Sequence, residues 1–223
     1  TQAVRMRTNL RSFPEATGTV KYHWGMEPIS LQETERDHRH RLLDAMAQSV
    51  ASNGFASTTV TDVVTLARVS RRTFYEHFGT REACLIALFD AASAQAFKVL
   101  VGSINPTQDW RDQLNDALNA YLSILSMQPT LLKTLFVAVF ALGDEGLAAR
   151  RRSNEQLVNF IEATVTAGSN GQSAPERAII TAIVGGIHEL ILQSIERGEE
   201  GQLTKLVPTV VRFLRQGLDQ SKS

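Results

Sequence analysis

The chain has 223 residues, room for one large domain or two modest ones, and its 43% hydrophobic and 21% charged content is globular rather than disordered. Lys+Arg and Asp+Glu both number 23, so any nucleic-acid surface must come from locally concentrated charge. The single cysteine, Cys84, excludes an internal disulfide and suits a reducing, cytoplasmic setting.

Cys84 lies in the apolar run EACLIALF and reads as a buried thiol. The longest apolar run, Leu131 to Leu142, is interrupted by Lys133 and is too short to span a bilayer. No long apolar core with a small-residue cleavage site marks a signal peptide, so no membrane association is expected.

Residues 1–30 mix Arg5, Arg7, Arg11 and Lys21 with Pro14, Gly18, Gly25 and Pro28 and show no sustained period. They read as a flexible basic arm, free or resting on DNA. From Glu33 the texture is helical: Leu42, Leu43, Met46, Ala47 and Val50 form an amphipathic stripe that ends near Asn53-Gly54. Thr59 with Asp62 has the spacing of a capping box and predicts a short helix from Val60 to Ala67. Ser70 is the next good N-cap, for a second short helix from Arg71 to His77. Arg68-Val69-Ser70 is then a three-residue turn, and a long helix begins near Arg81 after Phe78-Gly79-Thr80.

Beyond residue 100 helix follows helix. Pro106-Thr107 starts one striped by Leu114, Leu118, Tyr121, Leu122 and Leu125, and Gln128-Pro129 separates it from the Leu131–Leu142 segment. Gly143 and Gly146 break that segment, a helix with Leu147, Leu157, Phe160, Ile161 and Val165 follows, and the loop GSNGQSAP closes it. With no convincing strand pair or repeat, the protein is all-α. A three-helix bundle with a helix-turn-helix occupies residues 31–80, and a larger helical ligand-binding and dimerisation domain occupies 81–223.

The segment Glu176 to Arg197 is apolar on two faces, Ile179/Ile183/Ile187/Ile191/Ile195 and Ile180/Val184/Leu192, and so needs two burial partners. One is the chain's own core and the other a second subunit. Gly185-Gly186 in mid-helix costs about 2 kcal/mol relative to alanines, which a close helix approach would offset. The last segment has the same character, with Pro208 starting or kinking it. Ile180, Val184, His188, Leu192, Val207, Val211 and Leu214 are therefore read as a dimer interface, His188 as an interface histidine in preference to a ligand anchor.

The two short helices behind a longer one make a helix-turn-helix, whose second short helix enters the major groove. Arg71 and Arg72 can reach guanine edges or phosphates, Thr73 a base edge or thymine methyl, and Tyr75 and His77 phosphates. Arg81 stands close enough to grip the DNA backbone. Phe74 and Phe78 point inward, with Leu43, Val50, Val63 and Val64 opposite. From Arg68 to Arg81 four arginines face one acid, Glu76, a local concentration of positive charge in a neutral chain.

The stretch GFASTTVTDVVTLARVSRRTFYEHFGTREACL, Gly54 to Leu85, resembles the DNA-binding segment of TetR-family transcriptional repressors; the likeness covers roughly residues 36 to 90. It implies that Thr58 and Thr59 grip phosphate and that Thr73, Tyr75 and His77 occupy recognition positions. Arg81 stands where the family often has a phosphate-contacting lysine. The DNA-facing set is thus Thr58, Thr59, Arg68, Ser70, Arg71, Arg72, Thr73, Tyr75, His77 and Arg81. One departure is clear: the family's AGVS is ARVS here, so either Arg68 accepts a left-handed turn position and touches phosphate, or the turn changes shape.

The resemblance further implies a homodimer on a palindromic operator in double-stranded DNA, released by a small-molecule effector of unknown identity. An apolar or amphipathic ligand would sit among Trp110, Leu114, Leu118, Tyr121, Phe136, Phe140, Phe160 and Ile183, all equally readable as core. The run Arg150-Arg151-Arg152 reads as a solvated face. No P-loop, GxSxG elbow or Cys-His signature points to an enzyme, and His38 and His40, two apart, point to different helix faces, so no metal or cofactor is expected. Control by a protein partner, or a helical lipid or small-molecule carrier, are the alternatives.

Overall fold

A computed structural model describes residues 31–168 and 176–220; the basic arm and most of the GSNGQSAP loop lie outside them. The described residues hold no strand. In order the helices are α1 (Leu31–Asn53), α2 (Val60–Ala67), α3 (Arg71–His77), α4 (Arg81–Gly102), α5 (Trp110–Ser126), α6 (Pro129–Ala138), α7 (Gly143–Gly168), α8 (Arg177–Glu196) and α9 (Val207–Gln220). Short 3-10 segments join α6 to α7 and precede α9.

Local chemistry sets most of these ends. Thr59 accepts from the Asp62 amide while the Asp62 carboxylate takes the Thr59 amide, a complete capping box at the head of α2. Ser70 and Thr80 cap α3 and α4 through Thr73 N and Ala83 N. Pro208 sits in the first turn of α9, where its missing N–H costs nothing. Two ends differ from expectation. Pro106-Thr107 does not start α5, because the Asn105 carboxamide oxygen takes the Thr107 amide in a side-chain turn, and Asp109 caps the helix instead. Gly143, at φ 58°, does end the Leu131–Leu142 segment as expected, but Gly146 lies in the first turn of α7 and breaks nothing. A Cβ at Gly146 would lie 1.9 Å from the Val139 carbonyl oxygen, so only glycine lets α7 start so close to the preceding turn.

Two cores result. One joins Leu42, Leu43, Met46, Val50, Val63, Val64, Phe74 and Phe78 to Cys84, Leu85, Leu88 and Phe89 of α4 and to Leu135 and Val139. The boundary expected at residue 80 is therefore a change of helix and not a break in packing: α4 belongs to both halves. Cys84 is fully buried, and burial pushes its thiol up to about 12. The other core gathers α5, α7, α8 and α9 around Leu122, Ile180, Ile183 and Ile191.

By length and composition α4 and α8 would suffice to cross a membrane, a property the interrupted Leu131–Leu142 run does not reveal. Their apolar faces are used here in these two cores.

Both stripes of α8 are satisfied within the chain, by α7 on one side and α9 on the other. Ile180, Val184, His188 and Leu214 are consequently buried in a single protomer, which corrects their assignment to a dimer face. Leu192, Val207 and Val211 are half-buried. Of the glycine pair, a Cβ at Gly186 would meet the Phe213 ring of α9 at 3.4 Å, whereas one at Gly185 would face open space.

Candidate nucleic-acid interface and ligand cavity

The α2–α3 turn keeps its left-handed shape with arginine in it. Arg68 has φ 53° and ψ 46°, and its amide closes onto the Thr65 and Val64 carbonyls. It is the one described non-glycine residue at positive φ. Helix α3 is then held by Phe74, fully buried, and by Phe78. This leaves Arg71, Arg72 and Tyr75 exposed and Thr73 and His77 half-buried on the opposite side. Arg72 donates to Glu76 at 2.9 Å one turn on, a weak surface pair that leaves it available to a stronger anion. The Ser70 and Thr73 hydroxyls bond each other at 2.9 Å at the head of α3, where Ser70 also caps the Thr73 amide.

Two expected contacts are otherwise engaged. Thr58 is fully buried, and its hydroxyl donates to the Gly54 carbonyl at 2.9 Å, so its side chain cannot reach phosphate. Arg81 donates from Nη1 to the Phe55 and Thr58 carbonyls and from Nε and Nη2 to Glu82, with its guanidinium 4.2 Å over the Phe55 ring. Its Nη1 donors tie α4 to the loop before α2, while Nε and Nη2 are held by the neighbouring Glu82. Thr59 remains exposed, its hydroxyl engaged with Asp62.

A cavity of about 440 Å³ lies behind this unit, walled by α1, α4, α5, α6, α7 and α8. Tyr121 and Phe136 of the expected pocket residues line it. Leu114, Leu118 and Phe160 instead surround a separate void of about 40 Å³. Trp110 and Ile183 are plain core, the latter packed against Gly217, and Phe140 is exposed beneath the Arg150 guanidinium. The sequence reading missed the wall supplied by α1 (His40, Leu43, Asp44, Ala47) and the polar Arg150 and Asn154; His188, weighed there as a ligand anchor but set down as an interface histidine, lines the cavity with them. Arg150 is thus no part of a uniformly solvated run, whereas Arg152 pairs with Asp90 at the surface. The i, i+4 spacing of Arg150 and Asn154 was the available signal, but three consecutive arginines masked it.

Exposed donors on a short capped helix, backed by aromatic pegs and a left-handed three-residue turn, define a helix-turn-helix DNA-binding protein. Residues 42–88 match the sequence profile of the family described as bacterial regulatory proteins, tetR family. The fatty acid metabolism regulator protein of Bacillus subtilis (strain 168) is 23% identical over 185 residues, 80% of this chain and 94% of that one. The structure is similar to that of the fatty acid degradation regulator FadR from Bacillus halodurans, with TM-score 0.68 and 20% identity over 79% of this chain and 93% of that one. It is also similar to that of the Bacillus subtilis regulator FadR in complex with stearoyl-CoA, with TM-score 0.68 and 17% identity over 80% of this chain and 98% of that one. Residues 42–88 therefore carry the DNA-binding segment of the tetR family of bacterial regulatory proteins.

Proposed function

We propose that the protein is a homodimeric repressor that binds a palindromic operator and leaves it when a long-chain aliphatic ligand fills the cavity. The observation that carries this reading is the position of α1. Its His40–Ala51 stretch walls the cavity, while Leu42, Met46 and Val50 on the same helix pack into the core that holds α2 and α3. A ligand that displaces α1 or α4 therefore shifts the recognition helix, and the differential fit of the two arrangements sets how far the equilibrium moves. The volume lies in the range of small-molecule sites, and apolar side chains from Leu43 to Val139 provide most of the wall. The names of the similar regulators, concerned with fatty acid metabolism and in one case bound to stearoyl-CoA, support an aliphatic ligand.

Dimerisation rests on the outward faces of α8 and α9. Thr181, Ala182 and Gly185 form a small-residue strip on α8, and the exposed Phe213 stands beside it on α9. Two such faces related by a two-fold axis would place paired recognition helices on successive half-sites. Selection of bound sequences from random duplex DNA tests the reading. A palindrome should emerge, and a long-chain acyl compound should lower the affinity for it; enrichment of no sequence at moderate salt contradicts it.

A further inference from the structure

We infer that the cavity takes its ligand as a free long-chain carboxylate, with the head group held by Arg150, Asn154 and His188, and not as a coenzyme A thioester. The inference rests on the reading of this cavity as the effector site.

Helices α7 and α8 run antiparallel, with Arg177 at the head of α8 bonded to Glu162 and Asn159 of α7 at 2.6 and 2.8 Å. Eleven residues further along α8, about 16 Å, comes His188; nine residues back from Asn159 and twelve back from Glu162 along α7, about 14 and 18 Å, comes Arg150. Arg150 and Asn154 lie four apart on one face of α7, so the three side chains converge on the cavity they all line.

Each of them lacks something. His188 is 4% exposed, edge-on to Phe136 at 5.6 Å, and its Nδ1 has no hydrogen-bond partner. The buried Asn154 Oδ1 has none either. Buried polar atoms are rarely left so unless something else satisfies them. Arg150 has no carboxylate within 4.0 Å among the described residues; its contact is the Phe140 ring at 4.7 Å. A guanidinium in a largely apolar wall, flanked by two side chains with unused hydrogen-bonding capacity, fits the two oxygens of one carboxylate. The amide of Asn154 can present either end to it.

The charge count sets the class. Arg150 is the one arginine of the wall, which has no lysine and includes the acid Asp44 beside His40. Burial, and then the nearby Arg150, push the His188 imidazole down to about 4, so at neutral pH it donates a hydrogen bond without adding charge. One fixed positive charge matches one carboxylate. The several phosphates of coenzyme A would need a basic cluster that this wall does not contain.

Isothermal titration of the full chain with palmitate, methyl palmitate and palmitoyl-CoA, below their micellar concentrations, tests this, with operator anisotropy read in parallel. Palmitate should bind at least about tenfold more tightly than the other two, and Arg150→Gln should erase that preference while leaving the methyl ester little affected. Asn154→Leu, a separate variant, should weaken palmitate in the same selective way. Tighter binding of palmitoyl-CoA, with a preference unmoved by Arg150→Gln, overturns the inference and leaves the effector-site reading standing. Palmitate bound through Arg150 without operator release upholds the head-group assignment and overturns the effector reading. Binding of none of the three overturns both.

Discussion

Arg81 donates from Nη1 to the backbone carbonyl of Thr58 at 2.6 Å, fastening the first turn of α4 to the loop that precedes α2. With a second bond to Phe55 and the ring beneath it, the guanidinium orders the helix-turn-helix from behind. Arg81→Gln should lower the stability measured by urea unfolding by about 2 kcal/mol, and Lys should restore little of it, because an ammonium cannot reproduce the planar fork. Operator affinity should fall with the loss of order, yet the slope of log K against log salt should not change, since no phosphate contact is removed.

Arg68 behaves in the opposite sense. Its left-handed backbone costs about 1 kcal/mol relative to glycine, so Arg68→Gly should raise the melting temperature by about 2–4 °C. The side chain is exposed beside the head of α3, and its removal should lower the salt slope of operator binding by about one. An unchanged slope would assign Arg68 no phosphate.

Arg71 and Tyr75 have exposed side chains with no core role, Tyr75 being 51% accessible. Arg71→Ala and Tyr75→Phe should each weaken specific operator binding, Arg71→Ala by about 1–3 kcal/mol, with unfolding free energies within about 0.5 kcal/mol of the parent. Fluorescence anisotropy alongside urea unfolding separates the two effects.

His188 links stability to pH. Its imidazole titrates near 6.5 when unfolded and about 4 when buried, so between those values the unfolded chain binds the extra proton. The stabilisation is fully present above pH 6.5 and is lost as pH falls toward 4, by up to about 3 kcal/mol. Urea unfolding across this window should show a steeper acid loss for the parent than for His188→Gln; parallel curves would contradict a buried neutral imidazole.

The residues that announced the helix-turn-helix did so because their interactions are local. Thr59 and Asp62, or Ser70 and Thr73, meet three residues apart, and the inward spacing of Phe74 and Phe78 follows from the helical repeat. The role of Arg81 left no such trace: its partners are backbone carbonyls 23 and 26 residues earlier, which any residue there would present. The apolar faces of α8 were legible, but not that α7 and α9 of the same chain cover both, which moved Ile180, Val184, His188 and Leu214 inside. A cavity is a property of how six helices diverge, and no periodicity encodes it; hence Tyr121 and Phe136 were found, while the α1 wall was not.

The central claim is that one chain couples the α1-walled cavity to the recognition helix. It is tested most directly by fluorescence anisotropy of the full chain on its selected palindrome, titrated with palmitate at fixed salt. The account predicts saturable release for the parent chain and, for Ala47→Trp, which fills the cavity from α1, weakened operator binding without ligand and little further response to palmitate. Operator affinity that neither palmitate nor Ala47→Trp alters would contradict it.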